Sequence, residues 1–502
     1  MSIKASLLII LLSCFSCAQA SEKITHQYTV NMQSYMKGLS VSACFPDLQP
    51  AKLINYSDSK NTYFEQAYIT NGKQRKTRLK TRPKTILLST LTPSDCVNYD
   101  INFNGDGNHS RFKKRVENSN QLLLNIHSWL WFPDNYDHQK HALDITFNLP
   151  IDINISAPWP KINQQIIDNR QLTTFRHSNR PAHWDGKIAL GQFKTADIQK
   201  GSALVNIALL NATQAFNASP PMHSPMHSPM HSLMPSLMPP LMHWVDKNLD
   251  ALLLAYGDFP VSNLQLLIIP VGKDREPVPW GEAVHAGGDA IHLYIDQTRP
   301  LTEFMNDWVL IHELSHLLHP RFNNATWLSE GIASYYQNVL RSRSGLLSEQ
   351  KAWQKLHEGF QRGIKGTPTD KTLAQVSANM MRSRSFMRVY WSGAAISLLA
   401  DYELRKLSNN KQSLDTALKS LSQCCLKMHK TWSRTEIIQK LDSLTHTQVF
   451  SRLNKQYLHS TKFPHLETVY RGLGLSVYEK RIQINSQAQY ASIREAIMQK
   501  RQ

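Results

Sequence analysis

The stretch from Ile311 to Pro320 reads IHELSHLLHP, and it constrains the fold of this chain more than any other segment. His312 and His316 are four residues apart, so on a helix their imidazoles stand on one face, about one turn apart. The apolar run WVLI that ends at Ile311 indicates that the helix begins in the protein interior. Pro320 cannot continue a helix. The segment therefore predicts a short buried helix that presents two histidines side by side.

A metal ion is the ligand that this spacing favours. Two imidazoles on one helix face hold a tetrahedral ion from two sides, and Glu313, about 100° round the helix, can reach a water molecule beside the ion. His319 lies on the same face, but it is about 10 Å along the axis from His312, whereas zinc lies about 2 Å from a ligand nitrogen. We therefore expect one Zn²⁺ ion on His312 and His316, with His319 outside the ligand set.

The third ligand has to come from further along the chain, and Glu330 in NATWLSEGIASYYQNVL is the best candidate. The 13 residues between His316 and Glu330 allow the first helix to end at Pro320 and a second helix to return beside it. Glu330 lies among Trp, Leu, Ile and Tyr residues, and a buried carboxylate needs a partner. We expect its acid to face the two histidines.

HELSH followed by WLSEGIASYY resembles the gluzincin zinc metallopeptidases, most closely the glycyl aminopeptidase family and its membrane alanyl aminopeptidase relatives. VYWSGAAISLLADYELRK, from Val389 to Lys406, is similar to the Tyr-x-x-Gly-Ala-Leu helix of these families. The resemblance covers residues 250–410. It implies a zinc peptidase in which Glu313 is the general base and Tyr390 donates a hydrogen bond to the oxyanion.

The resemblance also implies where a peptide or protein substrate is held. In these families a glutamate on an upstream strand captures the free amine of the substrate, and the corresponding stretch here reads WGEAVHAGGDAIHLY. A strand predicted over Ala290 to Ile295 is expected at a sheet edge, where it could take the substrate backbone as an added strand. Whether the enzyme is an exopeptidase or an endopeptidase stays open. We expect substrate binding at Glu282, Gly287, Gly288 and Asp289.

The first residues, MSIKASLLIILLSCFSCAQASEK, predict a signal peptide cleaved after Ala20 and hence export to the periplasm or the medium. Lipid anchoring through Cys14 is the alternative. Four cysteines remain after cleavage, and an exported protein meets oxidising conditions. Cys44 and Cys96 fall in one β-rich region, so we expect them to form a disulfide, while Cys424 and Cys425 have no predicted role.

The fold class that we predict is multidomain, with an N-terminal all-β, sandwich-like domain followed by an α+β, thermolysin-like (gluzincin) catalytic domain whose C-terminal half is mostly helical. Short alternating runs such as HALDITFNL indicate the β domain, and helical periodicity dominates after residue 303. The predicted divisions are a signal peptide at 1–20, the β-rich domain at 21–205, a linker at 206–243, a zinc-binding subdomain at 244–345, a helical subdomain at 346–475 and a tail at 476–502.

The linker contains a low-complexity repeat of Pro-Met-His-Ser within residues 218–243. Thioether and imidazole groups suit Cu(I), so a periplasmic copper-binding protein is an alternative function, and a catalytically silent relative that binds peptides or envelope polymers is another. The repeat's candidate copper ligands are Met222, His223, Met226, His227, Met230, His231, Met234, Met238 and Met242.

The formal net charge of the chain is +18, and part of it lies in clusters such as Lys73 to Lys84 and Arg111 to Arg115. Such clusters suit an anionic envelope surface, although a soluble basic surface explains them as well. No nucleic-acid-binding module accompanies them, so we expect no nucleic-acid partner.

Overall fold

The computed structural model describes residues 23–33, 36–57, 64–70, 76–88, 91–103, 121–210, 229–368 and 370–499. The predicted signal peptide, Cys14, the repeat up to residue 228 and the basic cluster 111–115 lie outside these ranges. Within the described ranges, none of the helices combines the length and apolar character that crossing a bilayer requires.

In its described residues the N-terminal domain consists mainly of β-sheets, as predicted, with one short 3-10 helix at Ile126–Ser128. An eight-stranded sheet has the order β13-β14-β11-β1-β2-β8-β4-β5, and it packs with a four-stranded sheet, β10-β3-β7-β6, and a three-stranded sheet, β12-β15-β9. Alternating residues of these strands fill one apolar core, which includes Trp129 and Trp131. The strands are β1 Ile24–Gln33, β2 Gly38–Cys44, β3 Lys52–Ile54, β4 Phe64–Thr70, β5 Lys76–Arg78, β6 Thr81–Arg82, β7 Thr85–Leu87, β8 Cys96–Asn102, β9 Gln121–Asn125, β10 Phe132–Pro133, β11 His141–Pro150, β12 Asn154–Ser156, β13 Lys161–Ile167, β14 Arg170–Ser178 and β15 Lys187–Gly191.

Two disulfides are present. Cys44 and Cys96 occupy facing positions on β2 and β8 and are bonded, which confirms the predicted pair. The neighbouring residues Cys424 and Cys425, which had no predicted role, are also bonded to each other.

A second, five-stranded sheet has the order β16-β17-β18-β20-β19. Its strands are β16 Lys194–Lys200, β17 Ala203–Leu209, β18 Asn263–Pro270, β19 Trp280–Val284 and β20 Ala290–Ile295. β17, β18 and β20 run parallel and are largely buried, which is why their sequences read as continuous apolar runs. The expectation that Ala290–Ile295 is an edge strand is wrong, because β19 pairs antiparallel with its outer side and forms the edge itself.

Helices form most of the C-terminal half, as predicted. They are α1 Pro229–Leu253, α2 Leu301–Asn306, α3 Val309–Ser315, α4 Thr326–Arg343, α5 Glu349–Lys365, α6 Leu373–Ala378, α7 Met380–Ser383, α8 Phe386–Leu407, α9 Leu414–Cys425, α10 Arg434–Thr445, α11 Val449–Tyr457, α12 Glu467–Leu473 and α13 Ala491–Met498. α1 lies between β17 and β18, and the others follow β20. Two short strand pairs are also present: β21 Phe322–Asn323 pairs with β22 Trp432–Ser433, and β23 Leu475–Tyr478 pairs with β24 Arg481–Ile484. α4 and α8 pack closely against each other and carry residues of the candidate site.

Two of the predicted divisions differ from the structure. The predicted linker 206–243 begins inside β17, and its last part, from residue 229, belongs to α1. β17 is held by its pairing with β18, and α1 carries Trp244 and Leu249 into the same core, so tertiary contacts extend structure into the predicted linker. The predicted tail from residue 476 contains most of a β-hairpin and α13, whose Ile493 and Ile497 are buried in the main core.

A buried ionic network ties together the helices that carry the site. Arg343 of α4 pairs with Asp415 of α9, and Arg405 of α8 pairs with both Asp401 and Asp415, at side-chain exposures of 2% or less. Tyr335 of α4 donates a hydrogen bond to Asp401. Each buried charge therefore has a partner, and the network fixes the positions of α4, α8 and α9 relative to one another.

Candidate active site

The structure brings the three predicted metal ligands together. His312 lies on α3, His316 begins the short 3-10 helix His316–Leu318 that continues it, and Glu330 lies in the second turn of α4. The Oε2 atom of Glu330 lies 3.3 Å from Nε2 of His312 and 3.6 Å from Nε2 of His316. The potential ligand atoms of these three residues lie within 4.8 Å of one another.

These distances fit a zinc ion. Ligand atoms about 2.0–2.1 Å from a tetrahedral ion are about 3.4 Å from each other, which is close to both carboxylate–imidazole separations. Within the described part of the chain, the buried Oε2 of Glu330 has no hydrogen-bond partner, and a buried acceptor in that condition implies an unseen partner. Two imidazoles and one carboxylate are also the donor set of a catalytic zinc site that leaves its fourth position to water or substrate.

A chain of hydrogen bonds sets which nitrogen of each histidine faces the ion. The Nδ1 atom of His312 lies 2.8 Å from Oε1 of Gln337, an acceptor, so Nδ1 carries the proton and Nε2 is left with a lone pair. Nδ1 of His319 donates to the carbonyl of Pro320 at 2.9 Å, and its Nε2 accepts from the Ser329 hydroxyl at 3.2 Å. The Ser329 oxygen then accepts from Nδ1 of His316 at 3.1 Å. Both ligand histidines therefore present an unprotonated Nε2.

His319 is thus outside the ligand set, as expected, but it is connected to that set through Ser329. Its ring stacks on Phe322 at 4.4 Å between centroids, and burial lowers its pKa to about 3, so it stays neutral. Gln337 and Ser329 were not identified from the sequence. Their positions in α4, seven residues after and one residue before Glu330, are the only signal that could have indicated them.

Glu313 is buried beside the edge strand β19. A Cβ atom on Gly281 would lie 2.7 Å from Cγ of Glu313, so the glycine lets the strand pass directly over this side chain. Burial raises the pKa of Glu313 to about 7, although His312 and the backbone of Ala283 oppose the shift. The structure therefore places a carboxyl group with a near-neutral pKa next to the metal ligands. Its role as general base stays a prediction.

Tyr390 lies on α8 and faces the same centre. Its ring stacks on that of His312, with centroids 5.9 Å apart and an interplanar angle of 16°. Burial raises the pKa of its hydroxyl, and the nearby carboxylates of Glu330 and Glu313 raise it further. The hydroxyl therefore remains protonated and able to donate a hydrogen bond at neutral pH.

The two acidic residues predicted to bind substrate are both neutralised by cations of the N-terminal domain. Glu282 forms an ion pair with Lys187 of β15 and a 2.8 Å hydrogen bond with His292. Asp289 pairs with Arg180 at 2.6 Å and lies 3.5 Å from His285. These contacts differ from the predicted role, because a carboxylate that already has a cationic partner is a poor acceptor for the amine of a substrate.

Gly287 and Gly288, also predicted to bind substrate, lie instead at the contact between the two domains. The carbonyl of Gly287 accepts a 2.7 Å hydrogen bond from the indole of Trp159, and its N–H donates to Asp185. A Cβ atom on Gly288 would overlap the backbone of Pro158. The missing side chains therefore allow close backbone packing between domains, which explains the glycines without a ligand.

Comparison with known proteins supports this view of the site. Residues 311–398 match the family model of the M61 glycyl aminopeptidases, and that segment contains the three ligand residues, Glu313 and Tyr390. None of the curated protein sequences matches the chain significantly.

Several solved structures are similar to this one at low sequence identity. An aminopeptidase N family protein from Idiomarina loihiensis is 12% identical with a TM-score of 0.61, covering 90% of this chain and 79% of its own. An M1 zinc metallopeptidase from Deinococcus radiodurans is 15% identical with a TM-score of 0.49, covering 89% and 95%. A two-domain M1 zinc metallopeptidase variant bound to L-arginine is 13% identical with a TM-score of 0.50, covering 89% and 95%.

The fold is similar to that of the aminopeptidase N family protein, and the candidate ligand set of two histidines and one glutamate is the kind that gluzincin zinc metallopeptidases use. Within that class, the segment that carries the site is similar to the M61 glycyl aminopeptidases.

Proposed function

We propose that the protein is an exported zinc peptidase that hydrolyses peptide bonds with Glu313 as the general base. The observation that carries the proposal is the position of Glu330, whose buried Oε2 lies 3.3 Å and 3.6 Å from the Nε2 atoms of His312 and His316. Hydrogen bonds at the opposite ring nitrogens aim both lone pairs at the same point. Three donors that converge in this way suit a single Zn²⁺ ion.

The residues around that point divide the chemistry between them. Zinc, when bound, would polarise the scissile carbonyl and lower the pKa of a water molecule. Glu313, with a pKa of about 7, accepts the proton of the attacking water and passes it to the leaving amine. Tyr390 donates a hydrogen bond to the oxyanion that forms on the carbonyl oxygen. β19 is the free edge over Glu313, so the backbone of a peptide substrate is taken up along this strand.

Cleavage from the amino terminus is a second, narrower candidate. The M61 match favours an aminopeptidase, since that family is described by its glycyl aminopeptidase activity. The ion pairs of Glu282 with Lys187 and of Asp289 with Arg180 favour a peptidase that does not require the free amine. Hydrolysis rates on one peptide with a free and with an acetylated N-terminus separate the two.

Two features of the chain support the proposal that the protein is exported, namely its N-terminal segment and its cysteines. The apolar run followed by Ala18-Gln19-Ala20 is typical of a cleaved signal peptide, with lipidation at Cys14 as the alternative. All four cysteines after it are paired in disulfides, which form and persist in oxidising compartments. The periplasm, where the basic surface would meet an anionic envelope, is the location that we propose.

The experiment that tests the function is a comparison of wild type with Glu313→Gln. Wild type should contain about one zinc per chain and hydrolyse a peptide library. The variant should keep its zinc and lose turnover, because glutamine fills the same space and cannot accept the proton. Glu358→Gln on the exposed face of α5 is the control and should match wild type. Unchanged turnover in Glu313→Gln would exclude the assignment.

A further inference from the structure

A cavity of about 450 Å³ lies where three parts of the molecule meet. The N-terminal domain contributes residues near Trp184, the five-stranded sheet contributes the loop after β19, and the helical half contributes the segment after α9. The mechanism proposed above uses none of the residues in its wall. Its volume is in the range of ligand pockets in proteins.

The wall of this cavity is strongly basic. Five of its side chains are Arg or Lys, and Asp289 is its one acidic side chain. Burial alone would raise the pKa of Asp289, but Arg180 and His285 hold it at about 2, so this carboxylate is ionised and already neutralised. The five cationic residues are Arg176, Arg180, Arg321, Lys427 and Lys430.

Three of these cations have acidic partners and two do not. Arg176 pairs with Asp144 at 2.7 Å, Arg180 with Asp289 at 2.6 Å and Lys430 with Glu436 at 3.1 Å. Within the described ranges, Arg321 and Lys427 have no carboxylate partner. The cavity therefore carries about two positive charges that are available to an anionic ligand.

Both unpaired cations stand on positions that the fold holds in place. The guanidinium group of Arg321 lies over the ring of Trp184 at 5.3 Å, and its carbonyl accepts a hydrogen bond from Trp432. Lys427 belongs to the short 3-10 helix Leu426–Met428, which directly follows the Cys424–Cys425 disulfide. The side chain of Arg321 is thus already positioned by Trp184 and loses less conformational entropy when it binds an anion.

The cavity adjoins the zinc centre. His285 lines the cavity, its ring lies 6.4 Å from that of His319, and the ring of His319 lies 5.8 Å from that of His316. The chain runs from β19, the edge strand over Glu313, directly into the cavity wall at His285. A peptide lying along β19 therefore reaches the cavity with residues that flank the bond to be cleaved.

We propose that this cavity is a specificity subsite for carboxylate side chains, so that the preferred substrates are peptides with Asp or Glu near the scissile bond. The inference rests on the proposed peptidase function and adds the substrate class to it. Arg321 and Lys427 bind the carboxylates. Arg180, which is ion-paired with Asp289, forms part of the cavity wall and adds no net charge. A peptide of the same length with uncharged side chains gains no binding free energy from the two cations.

The test measures binding and turnover separately. Binding is measured by fluorescence anisotropy on full-length Glu313→Gln protein, with labelled peptides that carry Glu or Gln at matched positions on either side of one cleavable bond. Arg321→Ala with Lys427→Ala should weaken binding of the Glu peptides about tenfold, by the loss of roughly 1.4 kcal/mol of charge-assisted hydrogen bonding, and leave the Gln peptides unchanged. Lys411→Ala, an exposed lysine elsewhere, is the matched control.

Turnover adds a second readout on the otherwise wild-type chain. The double alanine variant should raise KM for Glu peptides, with kcat and zinc content unchanged, and Arg321→Lys should keep part of the preference. Arg321→Glu with Lys427→Glu should reverse the preference towards Lys-containing peptides. Equal affinity of the double alanine variant and wild type for Glu peptides would overturn the subsite.

The outcomes distinguish this inference from the proposed function. If wild type hydrolyses no peptide but Glu313→Gln protein binds Glu peptides through Arg321 and Lys427, the proposed function fails, and the cavity is a binding site for carboxylates but not a subsite for cleavage. If wild type cleaves Glu and Gln peptides equally well, the function stands and the subsite is wrong.

Discussion

Gly331 of α4 and Gly393 of α8 touch backbone to backbone. A Cβ atom on Gly331 would overlap the carbonyl carbon of Gly393, and one on Gly393 would overlap the carbonyl oxygen of Trp327. Glu330 immediately precedes the first glycine, and Tyr390 lies one turn before the second. The close approach of these two helices is therefore what allows the third metal ligand and the tyrosine to face one point.

Gly393→Ala should disturb that approach. The added methyl group has no space, so α8 must move away from α4, at a cost of about 1–3 kcal/mol of stability. Because Tyr390 moves with α8, kcat should fall further than the stability loss alone explains. Thermal unfolding and peptide turnover on the zinc-loaded protein measure both effects. Gly366→Ala, where the nearest atom to the new Cβ is 3.2 Å away, is the control, and an equal effect of the two changes would contradict this account.

The series of hydrogen bonds that links the carbonyl of Pro320, His319, Ser329 and His316 should be needed for tight zinc binding. Ser329→Ala and His319→Gln each interrupt the hydrogen bonds that orient His316, and changes to such supporting partners lower metal affinity about 10- to 100-fold. Competition with a zinc chelator measures the affinity. His357→Gln changes another buried histidine, which contacts Tyr470, and should leave zinc affinity as in wild type. A zinc affinity equal to that of wild type in both Ser329→Ala and His319→Gln would show that these hydrogen bonds do not orient His316.

Tyr390→Phe should lower kcat about 10²- to 10³-fold, the loss measured when one oxyanion donor is removed from a hydrolase. Zinc content should stay unchanged, because the tyrosine is not among the three ligands. Steady-state kinetics together with metal analysis check both statements. Tyr402→Phe on the same helix is the control, since Tyr402 packs on Tyr490, far along α8 from the centre. A change in KM alone would indicate that Tyr390 binds substrate without stabilising the oxyanion.

The ion pair between Arg180 and Asp289 should make stability depend on acid pH. Burial raises the pKa of Asp289, but Arg180 and His285 lower it from 3.8 to about 2 overall. Because the folded-state pKa is below the unfolded value, this stability is fully present above pH 3.8 and is lost as the pH falls towards 2. Denaturant unfolding of the metal-free protein at pH 5 and pH 3 measures the change.

Asp289→Asn should flatten this dependence on pH and should lower stability at pH 7 by about 3 kcal/mol, since Arg180 is left buried without its partner. Asp370→Asn, at an exposed position, should leave the pH dependence unchanged. A fall in stability between pH 5 and pH 3 that is as steep in Asp289→Asn as in wild type would exclude Asp289 as its source.

The features of this protein that could be predicted from its sequence are those set by residues that are close together along the chain. The separation of His312 and His316, and the turn at Pro320 that leads back to Glu330, depend on helix geometry within about twenty residues, and helix geometry can be derived from sequence. The alternating runs of the N-terminal half predicted its β-sheets for the same reason, and Cys44 and Cys96 were paired because both lie in that half. Tyr390 was found through family resemblance alone.

Only the tertiary structure decided which groups those residues meet. Lys187 pairs with Glu282 across 95 residues of sequence, and Arg180 pairs with Asp289 across 109, so no local pattern could reveal that both acids are neutralised. The edge of the sheet is β19 and not the predicted β20, and this depends on a pairing between strands that periodicity does not encode. The sequence by itself predicted the three candidate zinc ligands that the structure brings together, because one helix and its return set their spacing. The domain contacts decided what surrounds them, because burial and charge pairing depend on which elements fold side by side.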